Sequence, residues 1–191
     1  MSMHADDTAL IGWRKLGPLL SRLMESLPLV VFLMYLTLAR PQQPQAWREP
    51  FYLCAVLALL TQGAIQAAGV TGNRIYFALA CYFVSGALAL AFGWRPVNEW
   101  YGAVEAAAML SWVVAVGVVS TCVSSAGFVG LAARTRRETR IASLILLGVT
   151  ILATALSFAA IGYPLWHAYV PFIAVFVAQA LLRARLARHA R

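Results

Sequence analysis

The run IASLILLGVTILATALSFAAI, residues 141–161, decides the fold. It contains no Asp, Glu, Lys or Arg. It is long enough to cross a hydrocarbon core of about 30 Å, which takes about 20 helical residues. The basic stretch Arg134-Thr-Arg-Arg-Glu-Thr-Arg140 precedes it, and the turn Gly162-Tyr163-Pro164 follows. An unbroken apolar run bounded by charge on one side and a turn on the other reads as a spanning helix.

The same reading extends in both directions. Downstream, a last span runs from about Trp166 to Leu182 and ends in the basic tail Arg183–Arg191. Upstream lies Ala103–Ala133, which at 1.5 Å per residue would make a helix of about 45 Å. That is too long for one upright crossing. One long tilted or projecting helix is expected there, although Ser120, Thr121, Ser124, Ser125, Gly127 and Gly130 offer a place for a break or a re-entrant piece. A loop with Gly93, Arg95, Pro96, Asn98 and Glu99 separates it from a span over Ile75–Phe92. The turn Gly69-Val-Thr-Gly-Asn-Arg74 and a span over Phe51–Ala68 come before that, and a Pro/Gln-rich loop, Arg40–Pro50, lies further upstream. The first span ends at Ala39. Counted from Leu27 it is too short to cross, so it must begin earlier, tilt or thin the membrane.

Residues Thr8–Ser26 carry Leu10, Trp13, Leu16, Leu20 and Leu23 at helical spacing, with Lys15, Arg22 and Ser26 on another face. This amphipathic segment is expected to lie in the membrane interface. The alternative is that it forms the first turns of the first span. No small-residue cleavage pattern follows a short apolar run, so the first span is expected to be retained. The expected fold is therefore an all-α integral membrane protein, a bundle of about six transmembrane helices. It divides into a cytoplasmic amphipathic segment (1–26), a six-helix transmembrane domain (27–182) and a basic cytoplasmic tail (183–191).

Composition agrees. Hydrophobic residues make up 62% of the chain and charged ones 12%, against about 25% charged in a soluble domain. The net charge of +8 does not point to nucleic acid, because the basic residues sit at the ends of apolar runs, where they set orientation. With both ends inside, twelve Lys and Arg fall on the cytoplasmic side and three, Arg40, Arg48 and Arg95, outside. That bias supports an even number of spans, because an odd number would put one strongly basic end outside. Trp47, Tyr52, Trp94, Trp100, Tyr101, Tyr163 and Trp166 then form an outer aromatic belt. Fourteen Arg against one Lys fits a GC-rich bacterial genome, and the expected location is a bacterial inner membrane.

Candidate chemistry is sparse. Glu105 lies just inside the fourth span, where a carboxylate is costly and often functional; hydration at headgroup level is the plainer alternative. His167, Arg95 and Glu99 lie at the same outer level and form with Glu105 a candidate polar or ion site. Gln62 and Gln66 share a face of the second span and are candidate lining groups. Small pairs such as Ser120/Ser124 and Thr150/Thr154 read as packing. Cys54, Cys81 and Cys122 lie in apolar runs with no CxxC pair, and His4, His167 and His189 are too few and too far apart for paired haem ligation. No metal site, no cofactor and no catalytic residue is assigned, and the Walker A, HExxH and GxSxG patterns are absent.

The stretch Glu25-Ser-Leu-Pro-Leu-Val-Val-Phe32 resembles the opening of the bacterial intracellular septation protein A family, small polytopic inner-membrane proteins linked to cell division and envelope synthesis. The likeness continues in the basic turn at Arg74, in Trp100 before the fourth span, in the basic loop Arg134–Arg140 and in the basic tail. The chain lacks the basic residue that family carries just after Trp100, and its Arg134 loop is shorter. The resemblance implies a role in envelope maintenance through protein partners, without catalysis. The expected function is thus a non-enzymatic inner-membrane protein acting through an envelope partner or as a homo-oligomer, with no nucleic acid involved. The alternatives are a small ion or solute transporter or channel, and an immunity or resistance protein against a membrane-acting toxin.

Overall fold

The computed structural model describes residues 23–35, 38–39 and 47–189. Most of the amphipathic N-terminal segment, the bulk of the Pro/Gln-rich loop, and Arg14, Lys15, Arg22, Arg40 and Arg191 lie outside the described residues. Within them the chain is all-helical: α1 (Leu23–Tyr35), α2 (Arg48–Ala67), α3 (Arg74–Ala91), α4 (Arg95–Val104), α5 (Ala106–Val123), α6 (Arg136–Ala159), a π-helical turn at Leu165–Tyr169, and α7 (Val170–His189). Five helices are long and apolar enough to cross a membrane, and α1 is a shorter apolar one. Their lipid-side faces are apolar, with Val123, Leu152, Leu181 and Ile173 exposed. A lipid bilayer is the environment that accepts such surfaces.

Local signals set the helix ends. Asn73 caps α3, its side chain accepting the Ile75 N–H at 3.0 Å, and Thr135 caps α6 by accepting the Glu138 N–H at 3.2 Å. The Thr135/Glu138 spacing is that of a capping box. Gly93 takes a left-handed φ of 63° just past α3, and the Trp94 N–H reaches back to the Ala89 carbonyl at 2.8 Å, as a helix C-terminus requires.

Helices neighbouring in sequence pack against one another, α2 with α3, α3 with α5, α5 with α6 and α6 with α7. The core at one end is aromatic. Phe32, Phe51, Tyr82, Phe83 and Tyr101 lie within 5.0–6.4 Å of one another, ring centre to ring centre, as a chain of neighbours. Gly86 admits the Phe51 ring against the α3 backbone.

Of four features the sequence did not specify in detail, two depart from the expectations and two extend them. First, the stretch Ala103–Ala133 is not one long helix. It is broken at Glu105 (φ 43°, ψ −115°) and again at Ser124, which is extended. What remains, α5, has 18 residues, or about 27 Å, a length suited to a bilayer. Residues after Ser124 form turns in which Gly127 and Gly130 adopt left-handed φ values of 60° and 71°. Backbone freed in this way must find partners. Ser143 accepts the Val129 N–H (3.4 Å), Thr139 accepts the Ala133 N–H (2.9 Å), and Arg183 donates to the Val129 carbonyl (2.8 Å). Second, the loop read around Arg95, Pro96, Asn98 and Glu99 is helical, part of α4, whose first turn contains Pro96 where its missing N–H costs nothing. Third, α1 runs without interruption from Leu23 through the boundary drawn at 26/27. Fourth, the basic tail from Arg183 to His189 continues α7 as helix.

The bundle has two distinct ends. Glu25, Asn73, Arg74, Ser124, Thr139, Gln179 and Arg183 meet at one. Among the described residues, Arg74, Arg134, Arg136, Arg137, Arg140, Arg183, Arg185 and Arg188 belong to that end, whereas Arg48 and Arg95 belong to the other.

Candidate functional site

The end opposite the arginines brings together two of the four residues expected there. His167 is buried, and its Nε2 lies 3.4 Å from the Glu105 carboxylate, whose side chain is 68% exposed. Arg95 and Glu99 are exposed and make no ion pair with this couple among the described residues. Two backbone irregularities meet at the contact. Glu105 is the only non-glycine with positive φ among the described residues, a conformation that costs about 1–3 kcal/mol. His167 sits in the π-helical turn, a feature frequent at functional sites.

Hydrogen bonds explain why both irregularities persist. The kink at Glu105 frees the Ala106 N–H, which donates to His167 Nε2 at 3.3 Å. His167 Nδ1 lies 2.7 Å from the Ser157 carbonyl, and the Ser157 hydroxyl donates to the His167 carbonyl at 2.6 Å. A donor at Nε2 and an acceptor at Nδ1 select the neutral imidazole with its proton on Nδ1. In that state the Glu105 carboxylate has no Nε2 proton to accept. The group is thus a pin joining α5, α6 and the π-helical turn, with a hydrated carboxylate at its edge. Nearby, Tyr101 is also fully satisfied. Its hydroxyl accepts from Trp112 Nε1 (2.7 Å) and bonds Ser85 Oγ (2.6 Å), whose own proton goes to the Tyr82 carbonyl (2.9 Å).

The arginine-rich end carries a second polar group that the sequence reading passed over. Glu25 on α1 is only 6% exposed. One carboxylate oxygen accepts the Asn73 N–H at 2.6 Å. The Asn73 and Gln179 side chains exchange two bonds, of 3.0 and 2.8 Å, and so tie the α2–α3 turn to α7. Asn73 Oδ1 also caps α3, so the side chain of Asn73 serves α3 and α7 while its backbone N–H holds α1. Arg74 donates to Ser124 Oγ at 3.4 Å, and its Nε is buried without a hydrogen-bond partner among the described residues.

Beside this network lies an open groove of about 280 Å³, lined by Gln62, Ile65, Gln66, Val70, Thr71, Gly72, Arg74 and Phe77. Gln62 and Gln66, the expected lining residues, both face it. Gln62 is partly buried and Gln66 exposed. Lone polar groups inside or at the edge of apolar runs (Glu25 three residues before Pro28, and Gln179 in the last span) were the signal available for this site.

Comparison of the chain with known protein families, with characterised proteins and with solved structures gives no match.

Proposed function

We propose that the chain is a multi-pass protein of a bacterial inner membrane, with both termini in the cytoplasm, that binds and moves a small ion or polar solute. The observation that carries this reading is the buried Glu25 carboxylate beside the groove lined by Gln62, Gln66 and Arg74. Ionisable groups among membrane helices are expensive and are retained mainly where they handle ions or solutes. The orientation is supported by the arginines at the Glu25 end, since Arg-rich ends stay cytoplasmic. Glu105, at the opposite end, is the corresponding outer carboxylate. Reconstitution into liposomes tests the reading, with flux of protons and monovalent cations followed by entrapped dyes. The expected result is protein-dependent flux that falls in Glu25→Gln and in Glu105→Gln. Wild-type flux in Glu105→Gln removes that residue from the mechanism, and absence of flux in the wild type removes transport.

A second reading is favoured by the stretch similar to the septation protein A family. Its buried residues Glu25, Pro28 and Phe32 form one inward face of α1, while Leu27 and Val30 of the same stretch are exposed. In this reading the chain acts in envelope maintenance through a protein partner. Affinity purification in mild detergent tests it, because a stoichiometric envelope protein would be recovered.

A further inference from the structure

The His167 ring supports the break between α4 and α5 only while it is neutral. Its Nδ1–H donates to the Ser157 carbonyl at 2.7 Å, and its Nε2 lone pair accepts the Ala106 N–H at 3.3 Å. A proton added to that lone pair turns both ring nitrogens into donors. The Nδ1 bond survives the change. The Nε2 bond does not, because two N–H groups then face each other. Among the described residues one acceptor stands ready, Glu105 Oε2 at 3.4 Å from Nε2. A charged ring only 3% exposed needs a counter-charge. The Glu105 side chain is 68% exposed, so it can supply one and stay hydrated.

The same exchange acts on the backbone. In an unbroken helix the Ala106 N–H would donate to the Gly102 carbonyl, four residues back. At the break, where Glu105 has a φ of 43°, it donates to His167 instead. Losing the ring as acceptor removes the side-chain bond that compensates the break. No other described charge stands at this level to compete. On α5 the ionisable residue is Cys122, and on α6 they are Arg136, Arg137, Glu138 and Arg140, all at the opposite end of the bundle, where Arg183, Arg185, Arg188 and His189 of α7 also lie. On α4, Arg95 and Glu99 are exposed and make no ion pair with the couple, and Tyr101, stacked on Tyr82 of α3, has its hydroxyl taken up by Ser85 and Trp112. Tyr163 and Tyr169, which flank the ring in sequence, are exposed.

We infer that His167 Nε2 is a proton-binding site, and that a proton taken up there exchanges the Ala106 N–H for the Glu105 carboxylate and so frees the break between α4 and α5. The inference goes beyond ion or solute movement and stands whether or not the chain carries a flux.

Nitrogen NMR of the full-length protein in detergent tests it between about pH 8 and pH 5, the range over which histidines ordinarily change charge. A His4→Gln, His189→Gln background leaves His167 as the one histidine of the chain. At the alkaline end the ring is expected neutral, with its proton on Nδ1. On acidification it becomes an imidazolium. The protection of the Ala106 amide against exchange, relative to a free peptide, falls with the same midpoint. Glu105→Gln changes an exposed side chain and leaves the fold intact, but it removes the counter-charge, and the proton affinity of His167 falls several-fold. A ring that stays neutral to the acid end of the range, or to acid unfolding, overturns the proposal. So does a proton on Nε2 at the alkaline end. An Ala106 amide equally protected on both sides of the transition, or an unchanged proton affinity in Glu105→Gln, overturns it as well.

Discussion

Gly127→Ala separates two accounts of residues 124–130, because they predict opposite signs. In a continuous helix an exposed glycine is a weak point, and Ala would stabilise it by about 1 kcal/mol. In the structure Gly127 has a φ of 60° and is buried against α6. A Cβ there overlaps the Ser143 hydroxyl and comes within 3.2 Å of Ser143 Cβ and 3.3 Å of Thr139 Cγ2. The left-handed backbone costs Ala about 1–2 kcal/mol. Overpacking against a helix that cannot retreat adds about 1–3 kcal/mol. Gly127→Ala should therefore destabilise by about 2–5 kcal/mol. Ser143→Ala removes the overlapping oxygen but not the backbone cost. In that background the penalty should shrink by about 1–3 kcal/mol, a coupling that a double-mutant cycle measures directly. Reversible unfolding in mixed micelles, followed by tryptophan fluorescence, is the assay. A Gly127→Ala protein as stable as the wild type, or more so, refutes the broken-helix account.

Three further outcomes follow from the packing and the polar groups. Gly86→Ala drives a methyl into the Phe51 ring and should cost about 1–3 kcal/mol, with Phe51→Leu relieving part of it in the same unfolding assay. His167→Ala strands the Ala106 N–H and the Ser157 carbonyl and should lower stability by about 2–5 kcal/mol; Glu105→Gly should melt no lower than the wild type, because it relieves the φ of 43° and removes only an exposed carboxylate that accepts no proton from His167. Asn73→Ala and Gln179→Ala should each cost about 1–3 kcal/mol by stranding the partner amide, while in the double variant the Gln179 change should add less than it costs alone; strict additivity would show that the reciprocal pair does not form.

The spans were legible because apolar runs of membrane length leave the chain few alternatives. Ile141–Ile161, Phe51–Ala68 and Ile75–Phe92 match α6, α2 and α3 to within a few residues at their ends. The breaks were harder to read. Glu105 has no sequence signal for a left-handed φ. Its conformation is held by an imidazole 62 residues further on, through the Ala106 N–H. The turn after Ser124 had a visible signal in Gly127 and Gly130, but its stability comes from Ser143, Thr139 and Arg183, which sequence spacing alone does not bring together. The site divided in the same way. Glu105 and His167 shared a level in the bundle, and the structure joins them. Arg95 and Glu99 shared that level too, but α4 leaves them exposed. Glu25 falls in the segment 1–26, whose polar face is read from Lys15, Arg22 and Ser26, and nothing in that spacing marks it as buried. It is buried because α1 starts before it and lays it on the Asn73 backbone.

Flux through reconstituted liposomes measures Glu25-dependent transport most directly. Wild-type protein should carry a protein-dependent flux of protons or monovalent cations, and Glu25→Gln should abolish it while unfolding cooperatively as the wild type does. A folded Glu25→Gln protein with undiminished flux, or a folded wild type with none, would contradict the account.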